Sequence, residues 1–325
     1  MTPAGEILRD LIARSGPVPF HVFMETALYH PEHGYYRRGR DPFGKDGDYY
    51  TAEQVQPVFG RLMRALVRQL CREAGSAGLP QVVELGAGRG EMSEAFGEFD
   101  YTPVEAGRAL PDKIRGVVFA NEFFDALPVH VVTRRKGALR NIRVGYRQER
   151  FAWVEGEPVP EEVAAYVRDY AGPLEEGARI EVNLDALRWL DRIADCLEDG
   201  YLLVFDYGYQ SRELRRYPEG TLMSYRRHRA LEDVLSDPGE QDITAHVNFS
   251  ALERYGLTRG LVRQRFETMT AALLRAGEPD QFSEALRASG EKEQLRLRLQ
   301  LKTLLFGMGE GFRSLLMRKD TAAKQ

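Results

Sequence analysis

A glycine-rich turn is the part of the sequence best suited to hold a ligand. The apolar strand before it and the turn together read Val82-Val83-Glu84-Leu85-Gly86-Ala87-Gly88-Arg89-Gly90-Glu91, and the turn begins at Gly86. Glycine lacks a Cβ, so a ligand can lie against the backbone. The dinucleotide fingerprint G-x-G-x-x-G requires a third glycine where this chain has Glu91. Glu84 and Glu91 would repel a diphosphate and attract a cation.

S-adenosylmethionine is a cationic ligand that suits this turn, because it carries a sulfonium and an ammonium group. We therefore predict that Glu84, Gly86, Ala87 and Gly88 bind this cofactor. The alternative is a glycine turn between strand and helix that holds no ligand.

A second group of polar residues follows the apolar strand at 116–120. The run reads Asn121-Glu122-Phe123-Phe124-Asp125. An amide oxygen can accept a hydrogen bond from a planar N–H group, and carboxylates suit a guanidinium. We predict catalytic roles for Asn121, Glu122 and Asp125, with Asn121 also contacting the cofactor. The alternative is that Glu122 or Asp125 caps a helix while both phenylalanines belong to the core.

Two further segments supply candidates. The aromatic segment between residues 29 and 51 could form a lid in which tyrosine rings attract the sulfonium. From it we predict cofactor contacts by Tyr36, Asp48, Tyr49 and Thr51, and the alternative is a packed aromatic loop. His246 is a candidate base or substrate contact because imidazole titrates near neutral pH, although a lone histidine is more often structural.

The composition is that of an ordinary soluble enzyme. The chain has 325 residues, 43% of them hydrophobic and 29% charged, with a net charge of −4. This charge balance does not indicate binding to nucleic acid. Two cysteines imply neither a disulfide framework nor a cysteine metal site, and no apolar run reaches membrane-spanning length. The predictions are no metal, no nucleic acid, no membrane span and a cytoplasmic location.

Periodicity predicts the elements that position these residues. Buried strands at 81–85, 116–120 and 201–205 alternate with helices, which favours an α/β fold with a parallel, doubly wound sheet. Ligands bind at the carboxyl ends of such strands. Alternation over 129–154 indicates an antiparallel meander, and 293–317 is expected to be helical. We predict an N-terminal helical extension with the lid loop over 1–75, and a Rossmann-like core over 76–325 with insertions at about 129–155 and 209–248.

Several motifs together resemble those of the MidA-like S-adenosylmethionine-dependent methyltransferases. They are Tyr29-His30-Pro31 to Gly34-Tyr35-Tyr36, Gly47-Asp48-Tyr49-Tyr50-Thr51, Glu84 to Gly90, Asn121 to Pro128, Asp206-Tyr207-Gly208-Tyr209 and Asp242-Ile243-Thr244-Ala245-His246-Val247. This family includes a mitochondrial complex I assembly factor that methylates arginine. The resemblance implies a class I methyltransferase fold and a protein substrate, with arginine and a link to respiratory complex I as candidates. A homodimer is left open.

The sequence departs from the family in two places. The family has a longer stretch between the glycine turn and Asn121, with a strand whose terminal acid holds the cofactor ribose. Here either Glu105 is that acid, although Pro103 disfavours a central strand, or the strand is lost. Asn248 stands where the family tends to have aspartate. The short stretch leaves open a catalytically inactive assembly chaperone or scaffold, and a nucleotide-binding oxidoreductase is a weaker third hypothesis.

Overall fold

The structure is a computed structural model, and it describes residues 1–37, 52–75, 79–227, 229–231, 233–309 and 311–319. Its α-helices are α1 Pro3–Ser15, α2 Phe20–Tyr29, α3 Val58–Ala74, α4 Ser93–Phe96, α5 Glu161–Tyr166, α6 Leu184–Cys196, α7 Phe249–Thr258, α8 Met269–Gly277 and α9 Glu291–Lys302. Shorter 3-10 and π turns occupy Ala52–Gln54, Val167–Ala171, Ser211–Arg216, Glu278–Asp280 and Thr303–Met308.

The strands alternate with these helices along the chain. They are β1 Val18–Pro19, β2 Gln81–Leu85, β3 Asp100–Val104, β4 Ile114–Asn121, β5 His130–Arg135, β6 Ala138–Arg147, β7 Arg150–Pro158, β8 Arg179–Val182, β9 Leu197–Tyr209, β10 Met223–Arg226, β11 Arg229–Leu231, β12 Asp242–Thr244, β13 Val247–Asn248, β14 Leu261–Thr268 and β15 Phe312–Lys319.

Contacts divide the chain into two compact units. The glycine-turn unit comprises Thr51–Phe124, Arg188–Gly208 and Leu252–Gln325. The meander unit comprises Met1–Tyr50, Asp125–Leu187 and Tyr209–Ala251. This grouping differs from the predicted boundary at residue 75, because α3 packs within the core of the glycine-turn unit.

The glycine-turn unit is built on one mixed sheet with the order β14-β15-β9-β4-β2-β3. The strands β3, β2, β4 and β9 run parallel, and Leu85 pairs in register with Val104 and Ala120. Their carboxyl ends therefore meet at one edge of the sheet, where ligands bind in folds of this kind. The sheet confirms the predicted α/β class.

The amphipathic helix α3 buries its apolar face against this sheet. Its residues Leu62, Met63, Leu66, Val67 and Leu70 are at most 3% exposed and share one cluster with strand residues such as Phe119 and Phe205. Their helical spacing is that of a single face. The helix provides the rigid backing for the strands that end at the site.

The meander unit holds two smaller sheets. The antiparallel sheet β1-β6-β5-β8, with β7 paired to β6, contains the predicted meander. A second sheet has the order β11-β10-β12 and lies in the segment predicted to be a polar insertion. Helices α1 and α2 pack with the meander in a cluster that includes Phe20 and Val144.

One expectation about the glycine-turn unit is corrected, and one alternative that the sequence left open is decided. The end of the segment predicted to be helical over 293–317 is strand β15, antiparallel to both neighbours. Leu315, Leu316 and Met317 are all buried, so the strand has a continuous apolar run that periodicity cannot distinguish from a helix. Residues 100–104 form strand β3 despite Pro103, because β3 is the last strand in the sheet order and an edge tolerates a missing N–H donor.

Candidate active site

The glycine turn leaves β2 in a conformation that favours glycine. Gly86, Gly88 and Gly90 have φ values of 71°, 54° and 77°. The Gly86 N–H donates to the Val104 carbonyl at 2.8 Å, which joins the turn to β3. A Cβ on Gly86 would lie 2.9 Å from the Phe123 ring. The turn is thus packed on one side by the segment that follows β4.

Glu84 lies directly before this turn with its side chain fully buried. The Tyr101 hydroxyl donates to Oε2 of Glu84, while Oε1 has no hydrogen-bond donor among the described residues. Burial raises the pKa of Glu84 to about 7. A buried carboxylate without a full set of donors is costly, so a cation at this position would be favourable.

Glu105 follows β3 and faces the same turn. The Gly88 N–H donates to Oε1 of Glu105 at 2.9 Å. Both residues line a cleft of about 800 Å³, together with Gly90, Pro103, Arg108 and Leu110. This volume is within the usual range for a small-molecule site. Of the two alternatives raised by the sequence, the structure has the strand that ends before Glu105; the role of Glu105 stays a prediction.

Asn121 and Glu122 end β4 at the same edge of the sheet. Asn121 Nδ2 donates to Glu122 Oε1 at 3.3 Å, and the Ala52 N–H donates to that oxygen at 3.2 Å. Asn121 is 4% exposed, and its Oδ1 has no donor among the described residues. The bond to Glu122 fixes the amide orientation and leaves Oδ1 as an acceptor.

Glu122 adopts a backbone conformation that is uncommon for a residue with a side chain. Its φ is 49°, in the left-handed region, and its N–H donates to the Phe205 carbonyl at 2.9 Å. Strain of this kind persists only where the surrounding structure imposes it, often at functional sites. The chain thus turns sharply after Asn121 and holds the Glu122 carboxylate beside the amide.

Asp206 anchors the segment after Glu122. Its Oδ2 accepts the Phe124 N–H at 3.0 Å, and its Oδ1 accepts the Tyr207 N–H at 2.8 Å. Phe123 and Phe124 are 4% and 0% exposed, and Phe123 packs edge-on against Trp189. The two phenylalanines are therefore core residues, as the alternative interpretation held.

Three predicted site residues lie in the meander unit. Burial and the neighbouring Asp242 raise the pKa of Asp125 to about 8. The Tyr36 hydroxyl donates to Asp242 Oδ1 at 2.7 Å. The His246 N–H donates to Thr221 Oγ1 at 3.0 Å, and burial lowers the pKa of the His246 imidazole. Thus Asp125 and His246 belong to a different unit from Asn121 and Glu122.

The remaining predicted lid residues Asp48, Tyr49 and Thr51 lie outside the described residues. Sequence reasoning missed Glu53 and Tyr101, which both act on Glu84. The alternation of polar and apolar residues around Tyr101 could have revealed a strand beside β2. The sequence around Glu53 does not indicate a site residue, because the burial of Glu53 depends on distant parts of the chain.

Comparison with known proteins identifies the family. A family model described as "Putative S-adenosyl-L-methionine-dependent methyltransferase" matches residues 98–267, more than half of the chain. The chain belongs to this family. The methyltransferase also resembles a crystal structure from Burkholderia thailandensis with bound S-adenosyl-homocysteine. The TM-score is 0.86 at 29% identity, covering 98% of this chain and 92% of that chain.

Curated relatives extend the comparison. The Drosophila melanogaster protein arginine methyltransferase NDUFAF7 homolog, mitochondrial, is 27% identical over 78% of this chain and 70% of its own length. The human protein arginine methyltransferase NDUFAF7, mitochondrial, is 26% identical over 78% and 69%. These relatives are named as mitochondrial, so the prediction of a cytoplasmic location is wrong.

The fold, the family and the cofactor are therefore those of a class I S-adenosylmethionine-dependent methyltransferase. The residues of the glycine-turn unit fit this cofactor. Glu84 offers a buried acceptor to a cation, the glycine turn leaves room beside the backbone, and Glu105 lines the adjoining cleft. Among the described residues, no cluster of histidine, cysteine and acidic side chains could hold a metal ion. No described helix has the length and apolarity needed to cross a membrane.

Proposed function

We propose that the methyltransferase modifies a protein side chain and that the acceptor atom is a nitrogen of arginine. The observation that supports this most strongly is the buried Asn121 Oδ1, which has no donor among the described residues and whose amide orientation is fixed by Glu122. An acceptor in this position suits a substrate that brings an N–H group. The adjacent Glu122 carboxylate suits one that is positively charged.

The chemistry follows from these two side chains. When bound, S-adenosylmethionine supplies a methyl group attached to a positively charged sulfur. Asn121 Oδ1 accepts an N–H of the acceptor group and directs its nitrogen toward the methyl carbon. The new N–C bond forms as the C–S bond breaks, and one proton leaves the nitrogen. The Glu122 carboxylate attracts the positively charged guanidinium and is placed to receive that proton.

Asp125 and His246, which lie in the meander unit, remain proposed catalytic residues, with His246 as a base or a substrate contact. The lowered pKa of His246 keeps its imidazole neutral near pH 7, so it can accept a proton or a hydrogen bond. Tyr36, Asp48, Tyr49 and Thr51 remain proposed cofactor contacts. The relatives named as protein arginine methyltransferases support a protein substrate, and a respiratory complex I subunit is the candidate that the family resemblance implies.

The competing hypothesis was an inactive assembly chaperone or scaffold. It was motivated by the short stretch after Gly90, which put the strand before Glu105 in doubt. That strand is present as β3, and Glu105 contacts the glycine turn through Gly88. The motive for an inactive protein is therefore weaker, and we propose an active enzyme.

The test is methyl transfer from tritiated S-adenosylmethionine to proteins of a cell lysate, followed by acid hydrolysis and chromatography of the labelled amino acids. We expect label in methylarginine, reduced about 100-fold by Asn121→Ala, as for loss of a positioned polar group. The control is Asn141→Ala on β6 of the meander unit, which should leave transfer unchanged. Label found only in methyllysine, or transfer unaffected by Asn121→Ala, would contradict the proposal.

A further inference from the structure

Glu53 places a second buried carboxyl group beside Glu84. It belongs to the 3-10 turn Ala52–Gln54 and is 7% exposed, and its carboxyl group lies close enough to that of Glu84 for a hydrogen bond between them. Carboxylates only accept hydrogen bonds, so two carboxyl groups can bond to each other only if one carries a proton. We therefore expect the pair to share a proton in the protein without cofactor.

The charged side chains that act most strongly on Glu53 and Glu84 are negative, so they do not neutralise the two carboxyl groups. Glu91, Glu105 and Glu122 act on it with further negative charge, and Tyr101 donates from β3. The nearest cation of the glycine turn, Arg89, forms an ion pair with Glu91 at 2.7 Å. The largest contributions of charged neighbours to the pKa of either carboxyl group come from other glutamates, and no lysine or arginine of the described residues is among them.

We propose that Glu53 is a cofactor-site residue that shares one proton with Glu84 in the cofactor-free enzyme, and that the cofactor ammonium group replaces this proton on binding. The exchange is balanced: one positive charge enters the carboxyl pair and one proton leaves to solvent. Glu84 Oε1, which has no donor in the part of the chain that the structure describes, is the atom that gains a donor from the exchange. Binding and proton release are then a single linked event.

Because binding releases a proton, the affinity for the cofactor depends on pH. Desolvation raises the pKa of Glu53 well above its usual range and that of Glu84 to about 7. While the free pair is protonated, binding must expel a proton, so affinity rises with pH by up to about tenfold per unit. The rise levels off once the free pair has lost its proton.

Calorimetry in two buffers of different ionisation enthalpy measures the released proton directly. We expect the wild type at pH 6.5 to release about one proton per S-adenosylhomocysteine bound, because this ligand retains the ammonium group. 5′-Methylthioadenosine lacks the amino-acid part and should bind without proton release. Equal release with both ligands, or no release with S-adenosylhomocysteine, would overturn the proposal.

A variant pair checks the assignment to Glu53. Glu53→Gln keeps the shape but cannot give up a proton, so release should fall to below half and affinity for S-adenosylhomocysteine should drop at least tenfold at pH 8. Glu94→Gln changes an exposed carboxylate on α4 and should behave as wild type. Unchanged release in a folded Glu53→Gln would exclude Glu53. If this variant does not fold, the two ligands with the wild type still decide the proposal.

Discussion

The backbone N–H of Gly88 donates to the carboxylate of Glu105 at 2.9 Å, so the glycine turn after β2 is tied to the end of the neighbouring strand β3. A residue of the turn and an acid 17 positions later are thereby brought to one cleft. This hydrogen bond connects the glycine turn with the acid that follows β3, which the sequence alone did not place together.

Loss of the Glu105 carboxylate should weaken cofactor binding. We expect Glu105→Ala to raise the dissociation constant for S-adenosylhomocysteine about 10- to 100-fold, because a charge-assisted acceptor for ribose hydroxyls is worth about 1.5–3 kcal/mol. Asp112→Asn, an exposed change in the connection from β3 to β4, is the matched control. Equal affinity of Glu105→Ala and wild type in calorimetry would remove Glu105 from the site.

Gly88→Val should abolish cofactor binding for a reason beyond backbone strain. The φ of 54° costs a branched residue about 1–2 kcal/mol, and the change also adds bulk to a residue that lines the cleft. Gly137→Val carries the same strain, with a φ of 77° and open space around its Cβ, in a hairpin of the meander unit. The account requires both variants to lose similar stability while only Gly88→Val loses affinity, as measured by thermal unfolding and calorimetry.

Asp206→Asn should loosen the segment that follows Asn121. Its two carboxylate oxygens accept the N–H groups of Phe124 and Tyr207, and an amide can keep only one of these bonds. Leaving one buried N–H unpaired costs about 1–3 kcal/mol. We expect that loss in urea unfolding together with a lower kcat. Asp199→Asn on the same strand should show neither effect, and equal behaviour of the two variants would count against this role.

Buried carboxyl groups should make the cofactor-free enzyme less stable as pH rises. The folded-state pKa of Asp125 is about 8, above its ordinary value of 3.8, so the folded state binds more protons than the unfolded state in between. The stabilisation is complete below pH 4 and is lost as pH rises through 8, by up to about 1.4 kcal/mol per pH unit. Asp125→Asn should flatten this decline between pH 5 and 8 in urea unfolding. An identical slope in wild type and variant would show that Asp125 does not titrate in this way.

Much of the sheet edge could be predicted from local sequence. The apolar runs before Gly86 and Asn121 are short and bounded by polar or glycine residues. The residues suited to binding or catalysis therefore fall at the ends of the predicted strands. The parallel order then brings these ends together, as the registers of Leu85 with Ala120 and Asn121 with Phe205 confirm. Helix α3 is equally predictable from the sequence, because its apolar residues repeat at helical spacing.

The missed features depend on contacts between distant residues. β15 is buried on both faces, since the successive residues Leu315, Leu316 and Met317 are at most 4% exposed, and no period separates such an apolar run from a helix. The burial of Glu53 depends on a fold that places it against Glu84, 31 positions away. Pro103 was misleading because its cost depends on whether its strand is central or at an edge, which sequence pattern does not specify.

The most direct test of the account is a crystal structure of the enzyme with S-adenosylhomocysteine bound. We expect ribose hydroxyls within about 2.6–3.2 Å of the Glu105 carboxylate and the ammonium group at the Glu53 and Glu84 carboxyl pair. A nucleoside bound away from Gly88 and Glu105, with the Glu84 carboxyl still covered by protein atoms alone, would contradict it.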